Sequence, residues 1–312
     1  DRGPGRVGLE PEEGGRDQGG GRAGRARRRL GVDAEGCACL GAGRGQEGLA
    51  LAGREAPGLV LLDGKMPGMG GIGVLERLRN MDGAVPVIVD RDAESGAQLQ
   101  NEVRSQGSAC GLVTGELSNP EECSRAVDQT VKTFGRLDAL VNNAGRNDKV
   151  GLEQGSPREY VASLERNLVH YYSMAHYALP HLKRAQGAIV NIGSKTAVTG
   201  QGGTSGYASS KGGVMALTRE WAAELLPYNI RVNTILPAEV MTPLYREWLA
   251  TFPNPEEKLS AILSKIPLGK RMTTADEIAA MAIFLLSGKS GHTTGQHIFV
   301  AGGYSHLDRA LT

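Results

Sequence analysis

Short apolar runs alternate along the chain with segments whose apolar residues recur every three or four positions. The runs are "GLVLL" (58–62), "VPVIV" (85–89), "SACGLVT" (108–114), "LDALVN" (137–142), "GAIVNI" (187–192), "IRVNTIL" (230–236) and "HIFVAG" (297–302). They are too short for helices and rich in β-branched residues, so each predicts a strand buried on both faces. Helical patterns lie between them, such as "NPEECSRAVDQTVKTFG", where Asn119 is placed to cap the helix and Pro120 to open it. Seven strands separated by helices predict an α/β fold, a doubly wound and mostly parallel seven-stranded sheet with ligands beyond the carboxyl ends of the strands.

Before residue 58 this pattern is missing. "GGRDQGGGRAGRARRRL" is dominated by Gly and Arg, aromatic residues are absent from 1–57, and Val7 and Val32 are its only β-branched aliphatics. Such a stretch buries too little apolar surface to offset an ordering cost of about 1–2 kcal/mol per residue. The expected organisation is a low-complexity, disordered Gly/Arg-rich extension over 1–57 and one α/β domain over 58–312. The "RARRR" cluster reads as a solvated arm rather than a phosphate contact.

Composition narrows the function. A formal net charge of +1 over 312 residues provides no long-range field for nucleic acid or an anionic membrane. Cys37, Cys39, Cys110 and Cys123 fit neither a disulfide framework nor a paired metal knuckle, so incidental thiols in a reducing compartment and no metal are expected. No run of about 18 apolar residues occurs and no early segment resembles a signal peptide, so a soluble cytoplasmic protein is expected.

The strongest chemical signal is "YASSK", which puts Tyr207 and Lys211 four residues apart and therefore on one face of a helix. Ser194 sits just past the run "GAIVNI", and Asn167 lies in the helical segment before it. A phenol with a reference pKa of about 10 is a poor base at neutral pH, but a nearby ammonium favours the phenolate. Tyr207 can then take the proton of a substrate hydroxyl while hydride leaves the same carbon.

With "NNAG" at 142–145, "RVNTILPAEVMTP" and "TTGQHIFVAGG" in the same order, residues 58–304 resemble the short-chain dehydrogenase/reductase family, whose sheet is of the Rossmann type. The resemblance implies that Ser194 hydrogen-bonds the substrate oxygen, Lys211 lowers the Tyr207 pKa and holds a ribose, and Asn167 anchors a water relay. It implies a nicotinamide dinucleotide, with Asn142, Ala144 and Gly145 supporting the adenine side, and Val240 and Thr242 meeting the carboxamide. Asp90, ending the second strand of the dehydrogenase fold, would accept both ribose hydroxyls, which favours NAD; Arg91 beside it leaves NADP open. Glu116 stands where the family carries Asp near adenine, with Leu117 next to it, and Ala301 stands where the family usually has Asp. A homodimer or homotetramer is implied, built largely by the helix carrying Tyr207 and its neighbour.

Within the family, "SKTAVTGQGGTSGY", "PAEVMTPLY" and "GGYSHLDRAL" resemble sugar dehydrogenases acting on L-fucose and related aldoses. Lys195, Gln201, Glu239 and His292 would then add polar groups around a sugar pocket, and 244–265 would form a helical lid interrupted at Pro253 and Pro255.

One stretch departs from the family. In "LVLLDGKMPGMGGIGVLERLR" (59–79), Gly71, Ile72 and Gly73 fit the glycine-rich phosphate turn, but Met66 and Pro67 fall where Thr and the first Gly belong. Proline fixes φ and lacks an N–H, so Gly68 or Gly70 is expected to take over. The same letters resemble the corner of a response-regulator receiver, with Asp63 as phosphoacceptor and "EEGGRD" near residue 12 as a faint echo of its acidic pair. No apolar strand precedes Glu12, and "VPVIV" runs directly into "DRDAES" without the receiver's switch residues. The expectation is a diverged or receiver-like first strand and helix on a dehydrogenase; the alternatives are a degenerate receiver-like signalling protein and an inactive dinucleotide-binding protein.

Overall fold

A computed structural model describes residues 84–105 and 107–305, together with the backbone of three strands, β1 (Gly31–Val32), β2 (Ala38–Cys39) and β3 (Leu59–Asp63). Apart from β1 and β2, residues 1–57, where disorder is expected, lie outside the described residues, as does the phosphate turn with Pro67, Gly68, Gly71, Ile72 and Gly73. The chain divides into two units, Asp1–Glu47 and Gly48–Thr312. In the first, β1 and β2 pair antiparallel over two residues each.

In the second unit the chain runs through β3, β4 (Val85–Asp90), α1 (Ala93–Ser105), β5 (Gly111–Thr114), α2 (Pro120–Phe134), β6 (Ala139–Asn142) and α3 (Pro157–Leu164). A π-helical turn (Glu165–Val169) leads into α4 (His170–Ala185), followed by β7 (Ala188–Ile192), α5 (Thr196–Thr199), α6 (Ser205–Glu224) and β8 (Arg231–Pro237). The last described elements are α7 (Pro243–Leu249), α8 (Pro255–Leu263), α9 (Ala275–Leu286) and β9 (His297–Val300). The strands order as β5-β4-β3-β6-β7-β8-β9, every pairing parallel. From β3 the chain proceeds outward to β4 and β5, then crosses back to β6. The order therefore reverses between β3 and β6, which is where open parallel sheets bind ligands.

Side chains alternate across the strands and so feed two cores. Val87, Val89, Leu140, Ile189 and Val232 pack with Val127, Tyr171, Met174 and Trp221 from α2, α4 and α6. Ile88, Val141, Val190 and Ile235 pack on the other face with Val103 of α1 and Ile278, Ala282 and Leu285 of α9. Helices on both faces follow from strands that carry apolar residues on both faces.

Local chemistry sets the boundaries. The Asn119 side chain accepts from the Glu121 N–H at 2.9 Å and Pro120 opens α2, while Gly135 at φ 78° closes it. The run 108–114 yields a strand only from Gly111, because the Cys110 carbonyl is occupied by the Gln100 and Arg104 side chains, both at 2.9 Å. The final strand stops at Val300, where Gly302 and Gly303 turn the chain at φ 57° and 80°. Burial pushes the Cys110 thiol up to about 11, as expected of an inert thiol.

Candidate functional site

The carboxyl ends of the strands open onto a cavity of about 440 Å³. Asp90, Arg91, Glu116 and Leu117 line it beyond β4 and β5, Ala144 and Gly145 beyond β6, and Ser194, Tyr207, Val240 and Thr242 beyond β7 and β8. Leu244, Tyr245 and Glu247 of α7 also face it. The segment 244–265, expected as a helical lid, forms two helices, α7 and α8, with the break at the prolines, and of these α7 lines the cavity.

Ser194 follows Gly193, whose N–H is tied to the Ile235 carbonyl at 2.8 Å. A Cβ at Gly193 would lie 2.5 Å from Leu236 Cδ2, so glycine lets the chain leave β7 close to β8. Ser194 Oγ accepts from the Thr196 hydroxyl at 3.0 Å and hydrogen-bonds Tyr207. Tyr207 and Lys211 stand one turn apart on α6, with Lys211 Nζ 5.7 Å from the Tyr207 ring centre. The ammonium is 2 % exposed and donates to Tyr171 Oη and the Ile192 carbonyl, each at 2.8 Å.

Asn167 lies in the π-helical turn, a distortion typical of functional positions. Its Oδ1 accepts from the Arg146 N–H at 2.7 Å and its amide donates to the Ser163 carbonyl at 3.0 Å. The Ser163 hydroxyl in turn donates to Asp148 Oδ1 at 3.0 Å, and Asp148 pairs with Arg166 at 2.8 Å.

Burial raises the Tyr207 phenol above its ordinary pKa; the Ser194 hydrogen bond pulls it down and the Asp148 carboxylate pushes it further up. Burial also pushes Glu116 up, but the Ser118 N–H and hydroxyl and the Arg91 guanidinium outweigh it and hold that carboxyl below its usual range. Arg91 pairs with Glu116 at 3.3 Å. Asp90 is 4 % exposed, with Oδ1 accepting from the Asp92 N–H at 2.9 Å.

Five residues expected at the site do not line the cavity. Asn142 does not line the cavity: it is fully buried and donates to Asn191 Oδ1 at 2.9 Å, bridging β6 and β7. Lys195 and Glu239 pair with each other, Glu239 also bonding Tyr245, and Lys195 packs 4.0 Å from the Tyr304 ring centre. Their charges satisfy one another, and neither residue lines the cavity. Gln201 and His292 are exposed and off the cavity, because each lies in a surface loop. Sequence reading missed Tyr171, Arg146 and Tyr245, of which only Tyr171 carried a signal, its place one turn past Asn167.

A family profile described as enoyl-(acyl carrier protein) reductase matches residues 72–305. A profile of the response regulator receiver domain matches 25–108, so the receiver resemblance extends into β4, here a strand of the large sheet, and α1. The L-fucose dehydrogenase of Oryctolagus cuniculus is 34 % identical over 256 residues, covering 82 % of this chain and 87 % of that protein. The crystal structure of Cj0485 dehydrogenase is 43 % identical, with a TM-score of 0.77, and the match covers 84 % of this chain and 99 % of that one. NAD+-bound xylitol dehydrogenase is 26 % identical, with a TM-score of 0.72 and 79 % and 99 % coverage. The chain belongs to the short-chain dehydrogenase/reductase family and is an oxidoreductase acting on CH–OH donors.

Proposed function

We propose that the chain is an NAD-dependent sugar dehydrogenase that oxidises a secondary or anomeric hydroxyl of an aldose such as L-fucose. The observation that carries this reading is Ser194 and Tyr207 sharing one cavity wall with the Lys211 ammonium packed against the Tyr207 ring. L-fucose dehydrogenases among the relatives support the substrate class.

A dinucleotide fits the residues of the cleft. At Gly145, φ is 154°, and a Cβ would stand 3.1 Å from Asn167 Oδ1 and 3.5 Å from Lys211 Nζ, so glycine keeps that floor open. The buried Asp90 carboxylate suits two ribose hydroxyls and opposes a 2′-phosphate, while Arg91 is already committed to Glu116. Val240 and Thr242 are proposed to meet the carboxamide. Bound there, nicotinamide supplies the hydride acceptor. Tyr207 Oη takes the proton of the substrate hydroxyl, Ser194 holds that oxygen, and Lys211 favours the phenolate. Asn167 holds the turn after β6 against this group through its bond to Arg146 N. Exposed Val161, Val169 and Tyr172 on α3, the π-helical turn and α4 suit the proposed homo-oligomer.

Reduction of NAD and of NADP by L-fucose and a panel of aldoses, followed by absorbance of the reduced nicotinamide, tests the reading. NAD should be preferred at least about tenfold in kcat/KM, a difference of about 1.4 kcal/mol. Equal use of both defeats the role of Asp90, and no reduction with any aldose defeats the sugar assignment.

The Asp148 carboxylate adds a pH prediction. It raises the Tyr207 pKa, and oxidation needs the phenolate, so activity rises with pH through that pKa. Asp148→Asn therefore moves the acid limb of kcat/KM to lower pH. A limb that stays in place or moves upward contradicts the coupling.

A further inference from the structure

We propose that Tyr171 is a positioning residue for the reaction: its hydroxyl holds the Lys211 ammonium against the Tyr207 ring. The proposal rests on the dehydrogenase reading above and adds to it a second phenol, supplied by a different helix.

The geometry is a closed triangle. Lys211 Nζ stands 2.8 Å from Tyr171 Oη and 2.8 Å from the Ile192 carbonyl oxygen, and Tyr171 Oη stands 2.8 Å from the same carbonyl. Donor accounting fixes the protons. An ammonium only donates and a carbonyl only accepts, so Tyr171 gives its proton to Ile192 and offers a lone pair to Lys211. The Tyr171 hydroxyl is thus an acceptor aimed at the ammonium and not a competing acid.

Burial makes that acceptor matter. Lys211 is 2 % exposed and Tyr171 fully buried, and a buried ammonium keeps its charge only where fixed oxygens replace water. The triangle joins three elements, α4, the end of β7 and α6, so it also sets where the ammonium sits. It lies 4.9 Å from the Tyr171 ring centre and 5.7 Å from that of Tyr207. The π-helical turn places Asn167 and Tyr171 on successive turns, both directed at this group: the Asn167 amide approaches Gly145, and the Tyr171 hydroxyl reaches Lys211. The titratable and charged groups around the pair are His170, with its ring 4.7 Å from that of Tyr171, Asp148 with its partner Arg166 from beyond β6 and the π-helical turn, and Tyr207 itself.

Tyr171→Phe tests this with the ring retained. The expected result is a kcat/KM about tenfold lower, a raised KM for NAD, and an acid limb shifted upward by about half a unit, because a less firmly held ammonium stabilises the phenolate less. A variant that loses thermal stability but keeps the parent's limb and KM shows a purely structural tyrosine and overturns the proposal. A second readout needs neither cofactor nor substrate: the 13Cε-lysine NMR titration, with Lys211→Arg assigning the resonance. The Lys211 amine should titrate at lower pH in Tyr171→Phe than in the parent; an unchanged titration overturns the proposal. If the Phe variant does not fold, Tyr171→His takes its place, since imidazole ends short of the phenol oxygen. Both readouts should then move, and parent-like values overturn the proposal. A parent chain that turns over no aldose defeats the dehydrogenase reading, while the amine titration still judges Tyr171.

Discussion

Replacing Tyr207 with Phe lowers kcat/KM for the aldose about a thousandfold, within the range expected when a positioned general base is lost. The substitution keeps the ring, so α6 and the packing of Lys211 against it persist. Only the Oη proposed to take the substrate proton disappears. Ser194 remains hydrogen-bonded to Thr196 and cannot substitute, because a hydroxyl is a far weaker base than a phenolate. Calorimetric titration should show NAD affinity within about twofold of the parent, since Lys211, Asp90 and the cleft floor are untouched. Parent-like turnover would remove Tyr207 from the chemistry altogether.

Gly187→Ala produces the largest loss of stability. A Cβ at Gly187 would stand 2.2 Å from the Asp138 carbonyl oxygen and 3.0 Å from its carbon, closer than real Cβ contacts come. Those atoms are backbone and cannot swing aside. The Asp138 carbonyl accepts from the Ala188 N–H at 3.1 Å, and the Gly187 N–H donates to the Leu182 carbonyl at 3.0 Å. Relieving the clash therefore separates β6 from β7 where their pairing starts. A cost of about 3 kcal/mol or more follows, against a total stability of about 5–15 kcal/mol. The thermal midpoint should fall by about 10 °C. Gly187 and Ser194 flank opposite ends of β7, so activity per folded molecule at low temperature should stay within about a factor of two. A midpoint within about two degrees of the parent contradicts the steric argument.

The sequence revealed most where one period or one spacing determines geometry. The strand runs carry apolar residues on both faces, and the two cores that clothe the sheet follow from that. Tyr207 and Lys211 share a helix face because four residues make one turn. Asp90 reaches the cleft because a strand's last residue projects beyond the sheet. Contacts between distant elements were hidden. Tyr171 reads as a core aromatic until β7 and α6 bring Ile192 and Lys211 to its hydroxyl. Lys195 and Glu239, 44 positions apart, look like two open polar groups until they meet. Asn142 belongs to a recognisable motif, yet its side chain is drawn into the sheet by Asn191. Strand ends also moved where a side chain captured a backbone carbonyl, as at Cys110.

The central claim is that hydride leaves the carbon whose hydroxyl proton passes to Tyr207. It is tested most directly with the fastest aldose carrying deuterium at the oxidised carbon, incubated with the full chain and NAD. Mass spectrometry of the reduced nicotinamide should show one deuterium per turnover with the parent, and negligible labelled cofactor with Tyr207→Phe. Reduced cofactor without deuterium, or equal labelling by both proteins, would contradict the account.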